Sequence, residues 1–394
     1  MENFTYYNPT SIIFGKGIIS QTGEELQKHH MQHVLILYGS KRIEQDGTLA
    51  LVQKSLKDHG INFCCVHGVK SNPMVSELET YLEIAKQNQV DGILAIGGGS
   101  VIDVAKALSI ATLDDVSIQD ILMGKARAKR ALHVGVILTI AASGSESSYS
   151  MVLTIDDGLL KRSYNDELIR PVFAIMDPTL MASLPMRQLK AGAFDIMMHT
   201  LERYFSPSTH TELIDRMSEG LLIAVMKSMR DAHEHGYEYD TYANLMWAGS
   251  ISHNGLLETG RITDWTSHRL EHELSGLFDV IHGEGLCAIW GSWAMIVYPY
   301  AIDRFYDFAT NVMGIHPAKD KKEVARRGIL TFVAFMKEMG MPVSLHELAC
   351  TISEDDIKRM SRQCLLGVET IGHCKELSLH EVQAIYHNAL GGVL

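Results

Sequence analysis

The chain has 394 residues, of which 46% are apolar, and it carries a formal net charge of -12. This length exceeds what one hydrophobic core usually organises, so two domains are expected, and the apolar fraction is ample to fill both cores. A net negative charge without a run of Lys or Arg excludes the electrostatic footprint of proteins that bind nucleic acids or anionic membranes, which leaves small molecules as the expected partners.

The cysteines and the N-terminus indicate an intracellular protein. Six cysteines form no CxxC pair or regular framework, and the first residues have neither a basic start nor an apolar core, so we expect reduced thiols in the cytoplasm and no secretory signal. Residues 285–302 carry no charge and nearly reach the length of a membrane span. Because they include Pro299 and two glycines, we predict a buried core helix instead.

The first half alternates β-rich runs with amphipathic helical stretches. The runs are VLILYG at 34, FCCVHGV at 63, GILAIGGG at 92, VGVILTI at 134 and VFAIMDP at 172. Nearly continuous apolar strands between helices predict a parallel sheet covered on both faces, which gives a doubly wound α/β dinucleotide-binding domain over residues 1–185.

After Pro185 the strand signals fade and long helical patterns follow, as in TELIDRMSEGLLIAVMKSMRDA from Thr211. We therefore predict an all-α C-terminal domain over residues 186–394, with loops around Pro207 and Pro317.

Two polar, glycine-containing turns follow predicted strands. The first, Gly97-Gly98-Gly99-Ser100, precedes a helix whose free N–H groups and dipole would favour a phosphate, although it does not fit the G-x-G-x-x-G fingerprint. The second, LTIAASGSESS, supplies Thr139, Ser143 and Ser145. Both turns lie at carboxyl ends of parallel strands, the edge where open α/β sheets bind ligands, so together they favour nucleotide binding over tight connections alone.

A second group of polar residues combines aspartate with histidine. Asp195 and His199 are four apart in a helical pattern and share one face, as do His268 and His272, and His282 follows ten residues later. Intrahelical hydrogen bonding and chance clustering among 19 histidines are the alternatives.

One carboxylate and three imidazoles would suit one Fe(II) or Zn(II) ion, and the lack of thiolates argues against a closed structural zinc site. Such an ion would act as a Lewis acid in hydride transfer, and the spare His272 would then move the alcohol proton. Nearby Trp265, Phe278, Trp290 and Trp293, without an arginine cluster, favour an uncharged substrate.

These motifs resemble those of the iron-dependent (group III) alcohol dehydrogenases nearly end to end. The matching segments are Phe14-Gly15-Lys16-Gly17, Asn72-Pro73, GGGSVIDVAK, LTIAASGSE, AIMDP at 174, the D-x-x-x-H helix and HRLEHELSGLFDVIHG. The resemblance implies a metal and a nicotinamide that meet between the two domains. It favours Fe(II) over Zn(II) as the bound ion. It gives the metal ligands as Asp195, His199, His268 and His282. The expected cofactor contacts are Asn72, Gly98, Gly99, Ser100, Asp103, Thr139, Ser143, Ser145 and Lys161.

Within this family the tail HGEGLCAIWGSW is most similar to the butanol dehydrogenase branch, which implies an NADPH-dependent aldehyde reductase that forms a homodimer. Relatives commonly carry a proline nine residues after the last histidine ligand, where this chain has Gly291.

The turn after the first predicted strand bears on cofactor choice. NAD-preferring relatives place an aspartate there, whereas this chain has Gly39-Ser40-Lys41-Arg42, which removes the repelling carboxylate and offers cations to a 2'-phosphate. The alternative is that both cations are only solvated. We expect NADP(H) in preference to NAD(H), with Gly39, Ser40 and Lys41 in contact with it.

Two rival functions remain at this stage. A lyase resembling dehydroquinate synthase would use glutamate as the first metal ligand and a basic cluster for its substrate phosphate, and Asp195 and the apolar metal segments disfavour it. A non-catalytic nucleotide-binding protein would have the fold without a full ligand set.

Overall fold

The computed structural model describes residues 1–114 and 116–393, which form two compact units. One unit is Tyr7–Leu184, and the other comprises Met1–Tyr6 and the chain from Pro185 onward. The six N-terminal residues thus belong with the second unit, where the backbone N–H of Glu2 donates to the carbonyl oxygen of Gly260.

The first unit is built on a parallel sheet. Within the described residues the sheet has six strands in the order β1-β8-β5-β4-β2-β3, and β6 and β7 pair separately as an antiparallel hairpin. The strands are β1 Ser11–Phe14, β2 His33–Tyr38, β3 Asn62–His67, β4 Gly92–Gly97, β5 His133–Leu138, β6 Ser150–Ile155, β7 Leu160–Asn165 and β8 Phe173–Met176. The helices of this unit are α1 Thr22–Lys28, α2 Arg42–Gln45, α3 Thr48–Asp58, α4 Leu78–Gln87, α5 Gly99–Leu113 and α6 Ile118–Leu122.

The predicted α/β architecture is confirmed, and the five β-rich runs are β2, β3, β4, β5 and β8. Their residues are apolar because the sheet is covered on both faces: every residue of β4 is buried. In α3, Val52 and Leu56 are fully buried, whereas Leu51 is exposed, so the helix covers the sheet with one stripe only.

Three strands, β1, β6 and β7, were not predicted from the sequence. The edge strand β1 has only four residues, too few for a clear pattern, and it lies beside β8. In β6 the residues Met151, Leu153 and Ile155 alternate on one buried side, which is a strand signal next to the second polar turn.

The described part of the second unit is mostly helical, as predicted. Its helices are α7 Met186–Tyr204, α8 Glu212–His235, α9 Tyr239–His253, α10 Thr266–Phe278, α11 His282–Val297, α12 Ile302–Asp307, α13 Lys321–Glu338, α14 Glu354–Cys364 and α15 Leu379–Gly391. Most of the uncharged segment 285–302 belongs to α11, whose residues from Gly283 to Ala294 are all buried, so the prediction of a core helix is confirmed. Among the described residues, no helix combines the length and apolar character that crossing a membrane requires.

Candidate metal and dinucleotide sites

The aspartate and histidine cluster comes together in the helical unit. Asp195 and His199 project from the C-terminal half of α7, His268 from the first turn of α10, and His282 begins α11. Oδ1 of Asp195 lies 3.8 Å from Nε2 of His199, 3.7 Å from Nε2 of His268 and 3.6 Å from Nε2 of His282. One carboxylate oxygen therefore faces three imidazole nitrogens at nearly equal distances.

Two glycines allow the helices to approach closely enough for this arrangement. A Cβ atom on Gly283 would lie 2.1 Å from the carbonyl oxygen of Ala191, so only glycine lets the start of α11, with His282, pack directly on α7. A Cβ on Gly285 would lie 2.9 Å from the side chain of Glu271, which occupies that space and contacts His282.

The donor set fits a divalent metal ion. Ligands at about 2.0–2.2 Å from a tetrahedral ion are about 3.4 Å apart, close to the observed separations. Oδ1 of Asp195 and Nε2 of His268 are buried and have no hydrogen-bond partner among the described residues. Buried polar atoms that face one another without hydrogen bonds are unfavourable unless a ligand satisfies them. Asp195, His268 and His282 form a group that could hold an ion.

Two buried carboxylates orient the imidazoles from behind. Nδ1 of His268 donates to Oε1 of Glu202 at 2.8 Å, and Nδ1 of His282 donates to Oε2 of Glu271. Each bond places the proton on Nδ1 and leaves Nε2 to face Asp195, which is the arrangement found around protein-bound metals. Sequence reasoning did not identify either glutamate, although Glu202 lies three residues after His199 on α7 and Glu271 three residues after His268 on α10.

The protonation of the histidines reflects their surroundings. Burial, together with His253 and His268, holds the pKa of His199 well below its ordinary value, so its ring is neutral and able to bind a metal. Burial also acts to lower the pKa of His268, but the carboxylates of Asp195 and Glu202 outweigh it and raise the pKa to about 9. In the metal-free protein the carboxylates thus favour a positive charge at this position, and a metal ion would displace the proton.

His272 lies beside this cluster. Its half-buried ring is centred 5.7 Å from the ring of His282 and 6.4 Å from the ring of His268. His272 is therefore a neighbour of the group of Nε2 atoms around Asp195 and not a member of that group.

Two of the four aromatic residues that we expected near the site lie in the hydrophobic core instead. Trp290 and Trp293 are 0% and 2% exposed and pack in the aromatic core of the helical unit, against Phe205. Trp265 does lie at the cluster, with its ring 5.8 Å from that of His199 and 5.3 Å from that of His268. Gly291 packs between Val333 and Val393, so it belongs to the helical core as well.

In the sheet unit the two polar turns are neighbours, because β4 and β5 pair in register from Gly92 to Gly97. A Cβ on Gly99 would lie 2.4 Å from Oγ of Ser143, and a Cβ on Gly98 would lie 2.3 Å from Cγ2 of Ile140. The glycines are therefore needed where the two turns touch. Gly99 and Ser100 begin the 15-residue helix α5, and the backbone N–H of Thr139 donates to the carbonyl oxygen of Gly97.

Asp103 and Ser145 hold the second turn from inside. Oγ of Ser145 donates to Asp103 at 2.6 Å, and the backbone N–H of Val152 donates to the other carboxylate oxygen at 3.0 Å. The fully buried Lys106, which sequence reasoning overlooked, donates to Oγ of Ser145 and to the carbonyl oxygens of Ser145, Ser148 and Ser150. Its position three residues after Asp103 on α5 is the signal that could have found it.

The remaining predicted contacts lie in two places. Nζ of Lys161, on β7, donates to Oδ1 of Asn72 at 2.8 Å, and Asn72 has a left-handed backbone with φ of 48°. Gly39 follows β2, next to β4, while Ser40 and Lys41 are exposed at the turn. Arg42 is half-buried and donates to Oγ of Ser183 at 2.8 Å, whereas Lys41 is exposed.

The chain is similar to known proteins along nearly its whole length. Residues 9–178 match the model of the iron-containing alcohol dehydrogenases, and residues 190–390 match the model of the C-terminal region of that family. The chain is 34% identical to NADH-dependent butanol dehydrogenase A of Clostridium acetobutylicum over 98% of this chain and 99% of the relative. It is 29% identical to the NADPH-dependent aldehyde reductase YqhD of Escherichia coli over 99% of this chain and all of the relative. The crystal structure of NADH-dependent butanol dehydrogenase A from Thermotoga maritima superposes with a TM-score of 0.94 at 35% identity, covering 99% of both chains.

Proposed function

The chain belongs to the iron-containing alcohol dehydrogenase family, and from this premise we propose that it interconverts small uncharged aldehydes and primary alcohols with NADP(H) as the preferred cofactor. Membership makes it a metal-dependent, NAD(P)-linked alcohol dehydrogenase or aldehyde reductase. The observation that carries the proposal is the single oxygen of Asp195 facing the Nε2 atoms of three histidines at 3.6, 3.7 and 3.8 Å.

We propose that Asp195, His199, His268 and His282 hold one divalent ion, Fe(II) ahead of Zn(II). When bound, such an ion supplies Lewis-acid polarisation of the substrate oxygen. Glu202 and Glu271 keep the proton of His268 and of His282 on Nδ1, so that both Nε2 atoms stay available.

We propose a proton-transfer role for His272 and a cofactor-binding role for the N-terminus of α5. His272, half-buried beside His282, relays the proton of the alcohol, since a neutral imidazole exchanges protons near neutral pH. The N-terminus of α5, with Gly98, Gly99 and Ser100, receives the pyrophosphate of the dinucleotide, because its free N–H groups and dipole favour an anion.

The substrate is proposed to be uncharged. Arg203, an arginine beside the cluster, is 1% exposed, donates to the carbonyl oxygen of His199 and lies over the ring of Trp265 at 4.6 Å. Its guanidinium group is therefore buried in contacts within the protein and is not available to bind a phosphorylated or acidic substrate. Trp265 contributes an apolar surface at the same place.

The preference for NADP(H) rests on the turn after β2. Relatives of this chain are named for both NADH and NADPH, so similarity alone does not decide between them. Gly39 lacks a carboxylate that would repel a 2'-phosphate, and the exposed Lys41 offers a cation. We also propose that the protein is a homodimer in the cytoplasm, and light scattering of the purified protein would test the dimer.

The experiment that tests the proposal combines metal analysis with turnover. Purified wild-type protein should contain close to one equivalent of Fe or Zn per chain and should reduce short aldehydes with NADPH in preference to sugar phosphates. His268→Ala and His282→Ala should each lose the metal and the activity, because each variant lacks one of the four proposed ligands, while dinucleotide binding persists. Full metal content in both variants, or a preference for an anionic substrate, would contradict the proposal.

A further inference from the structure

His253 contacts the proposed metal site without belonging to the ligand set. It is the last residue of α9 and is half-buried. Its ring is centred 4.2 Å from the ring of His199 at an interplanar angle of 64°, and 5.6 Å from the ring of Trp265. The edge-to-face geometry and short distance make it a packing partner of His199.

His199 differs from the other two imidazoles in how its ring is held. Glu202 and Glu271 accept hydrogen bonds from Nδ1 of His268 and His282, whereas Nδ1 of His199 has no hydrogen-bond partner among the described residues. No carboxylate therefore fixes the rotation of the His199 ring from behind. A ligand left free to rotate about its side-chain torsions must lose that freedom when it binds an ion, which weakens binding.

Ring contacts surround His199 instead. The ring of His268 stacks on it at 4.5 Å and 8°, but His268 is itself a proposed ligand. Trp265 lies farther away, at 5.8 Å. His253 is thus the nearest ring to His199, and it comes from a helix that provides no ligand.

We infer that His253 is a positioning residue of the metal centre, whose flat ring fixes the orientation of His199 as Glu202 and Glu271 fix the other two histidines. The inference rests on the proposed ligand set. It assigns a role to α9, which the sequence motifs left without one, and it concerns the packing of a ring and not its charge.

The test compares His253→Leu, which fills similar space without a flat ring, with His253→Phe, which retains a ring. Each metal-free protein is titrated with Co(II) in competition with a chelating indicator, and the d–d absorption of the bound ion reports its coordination. We expect His253→Leu to bind Co(II) about tenfold or more weakly, as for other groups behind metal ligands, with altered d–d bands. His253→Phe should stay within about threefold of wild type. His29→Leu is a matched control, because His29 is also half-buried and stacks on a ring, that of Phe173, in the sheet unit.

Wild-type affinity and an unchanged spectrum in His253→Leu would overturn the inference, as would binding in His253→Phe as weak as in His253→Leu. If His253→Leu did not fold, the Phe variant alone would decide, because the inference requires it to bind Co(II) nearly as wild type does. Failure of wild-type protein to bind Co(II) at all would instead refute the proposed ligand set, and the inference would fall with it.

Discussion

Oε1 of Glu202 accepts two hydrogen bonds from His268, one from the backbone N–H and one from Nδ1, each at 2.8 Å. Burial would raise the pKa of Glu202, but the hydrogen bonds from His268 and Ser267 outweigh burial and hold the pKa below its ordinary value. The glutamate is therefore ionised at neutral pH. A buried negative charge directly behind a proposed ligand makes that ligand a stronger donor.

Removal of this charge should weaken metal binding. In Glu202→Gln the side chain keeps its shape but loses its charge, and we expect the affinity for Zn(II) to fall about tenfold or more. Competition with a chelating indicator measures the change. Ser267→Ala is the control, since it removes the 2.6 Å hydrogen bond from Ser267 to Glu202 but leaves the charge, and it should change the affinity less than about threefold. Equal affinity in Glu202→Gln and wild type would mean that the charge does not support His268.

Lys106 should make the stability of the protein depend on alkaline pH. Burial lowers its pKa from 10.5 to about 8, although Asp103 and Glu146 act to raise it. Between about pH 8 and pH 10.5 the folded chain has lost a proton that the unfolded chain still binds, so rising pH favours the folded state over that range. Below about pH 8 the amine is charged in both states and contributes no pH dependence.

Lys106→Met should therefore differ from wild type in a way that changes with pH. The variant loses the donor to the carbonyl oxygens of Ser145, Ser148 and Ser150, so its melting temperature should be lower at every pH. The difference from wild type should widen between pH 7 and pH 10, which differential scanning fluorimetry can follow. Lys54→Met, at an exposed lysine, serves as control. A constant difference across this range would show that Lys106 does not titrate as inferred.

The pair of Asn72 and Lys161 allows the backbone and side-chain roles of an asparagine to be separated. Asn72→Gly keeps a residue suited to the left-handed conformation but removes Oδ1, whereas Asn72→Ala removes Oδ1 and also strains the backbone. Both variants should raise the KM for the dinucleotide several-fold, because Lys161 loses a hydrogen bond of 2.8 Å that helps to place it. Asn72→Ala should lower the melting temperature more than Asn72→Gly does. An unchanged KM in both variants would place this pair outside the cofactor site.

Much of the fold could be predicted because its signals are local. The apolar run Ile93 to Ile96 identifies a strand buried on both faces, and the helical spacing after Pro185 identifies the second unit. The strand β1 could not be found in this way, since its four residues owe their conformation to pairing with β8. Pairing of distant segments is a tertiary effect that a short pattern does not contain.

The candidate metal site could likewise be predicted where its signals are local, but not where it depends on the packing of distant segments. The four-residue spacing of Asp195 and His199 predicts that they share a helix face, and the structure places His268 and His282 against them. The role of Gly283 was not predictable, because it depends on the carbonyl oxygen of Ala191, some ninety residues earlier in the chain. His253 carries no motif at all, and only the packing of α9 against α7 brings it to His199.

The turn at Gly39 offers a test of cofactor choice with a definite sign. In Gly39→Asp a carboxylate would stand where the 2'-phosphate of NADPH is proposed to bind. We expect the KM for NADPH to rise at least about tenfold, since a like-charge contact near a partly desolvated phosphate costs on the order of 1.4 kcal/mol or more. Use of NADH should fall little or improve, because the aspartate can accept hydrogen bonds from the ribose hydroxyls.

The position is crowded, and the control must account for this. A Cβ on Gly39 would lie 3.1 Å from the carbonyl oxygen of Val69 and 3.5 Å from Cγ2 of Val101, so any side chain requires a small adjustment. Gly39→Asn has the same shape as Gly39→Asp without its charge, and the ratio of their KM values for NADPH therefore isolates the electrostatic effect. Steady-state kinetics with both cofactors provide the values. Equal use of NADH and NADPH by the wild-type protein, with Gly39→Asp unchanged toward both, would remove the 2'-phosphate from this turn and with it the proposed preference for NADP(H).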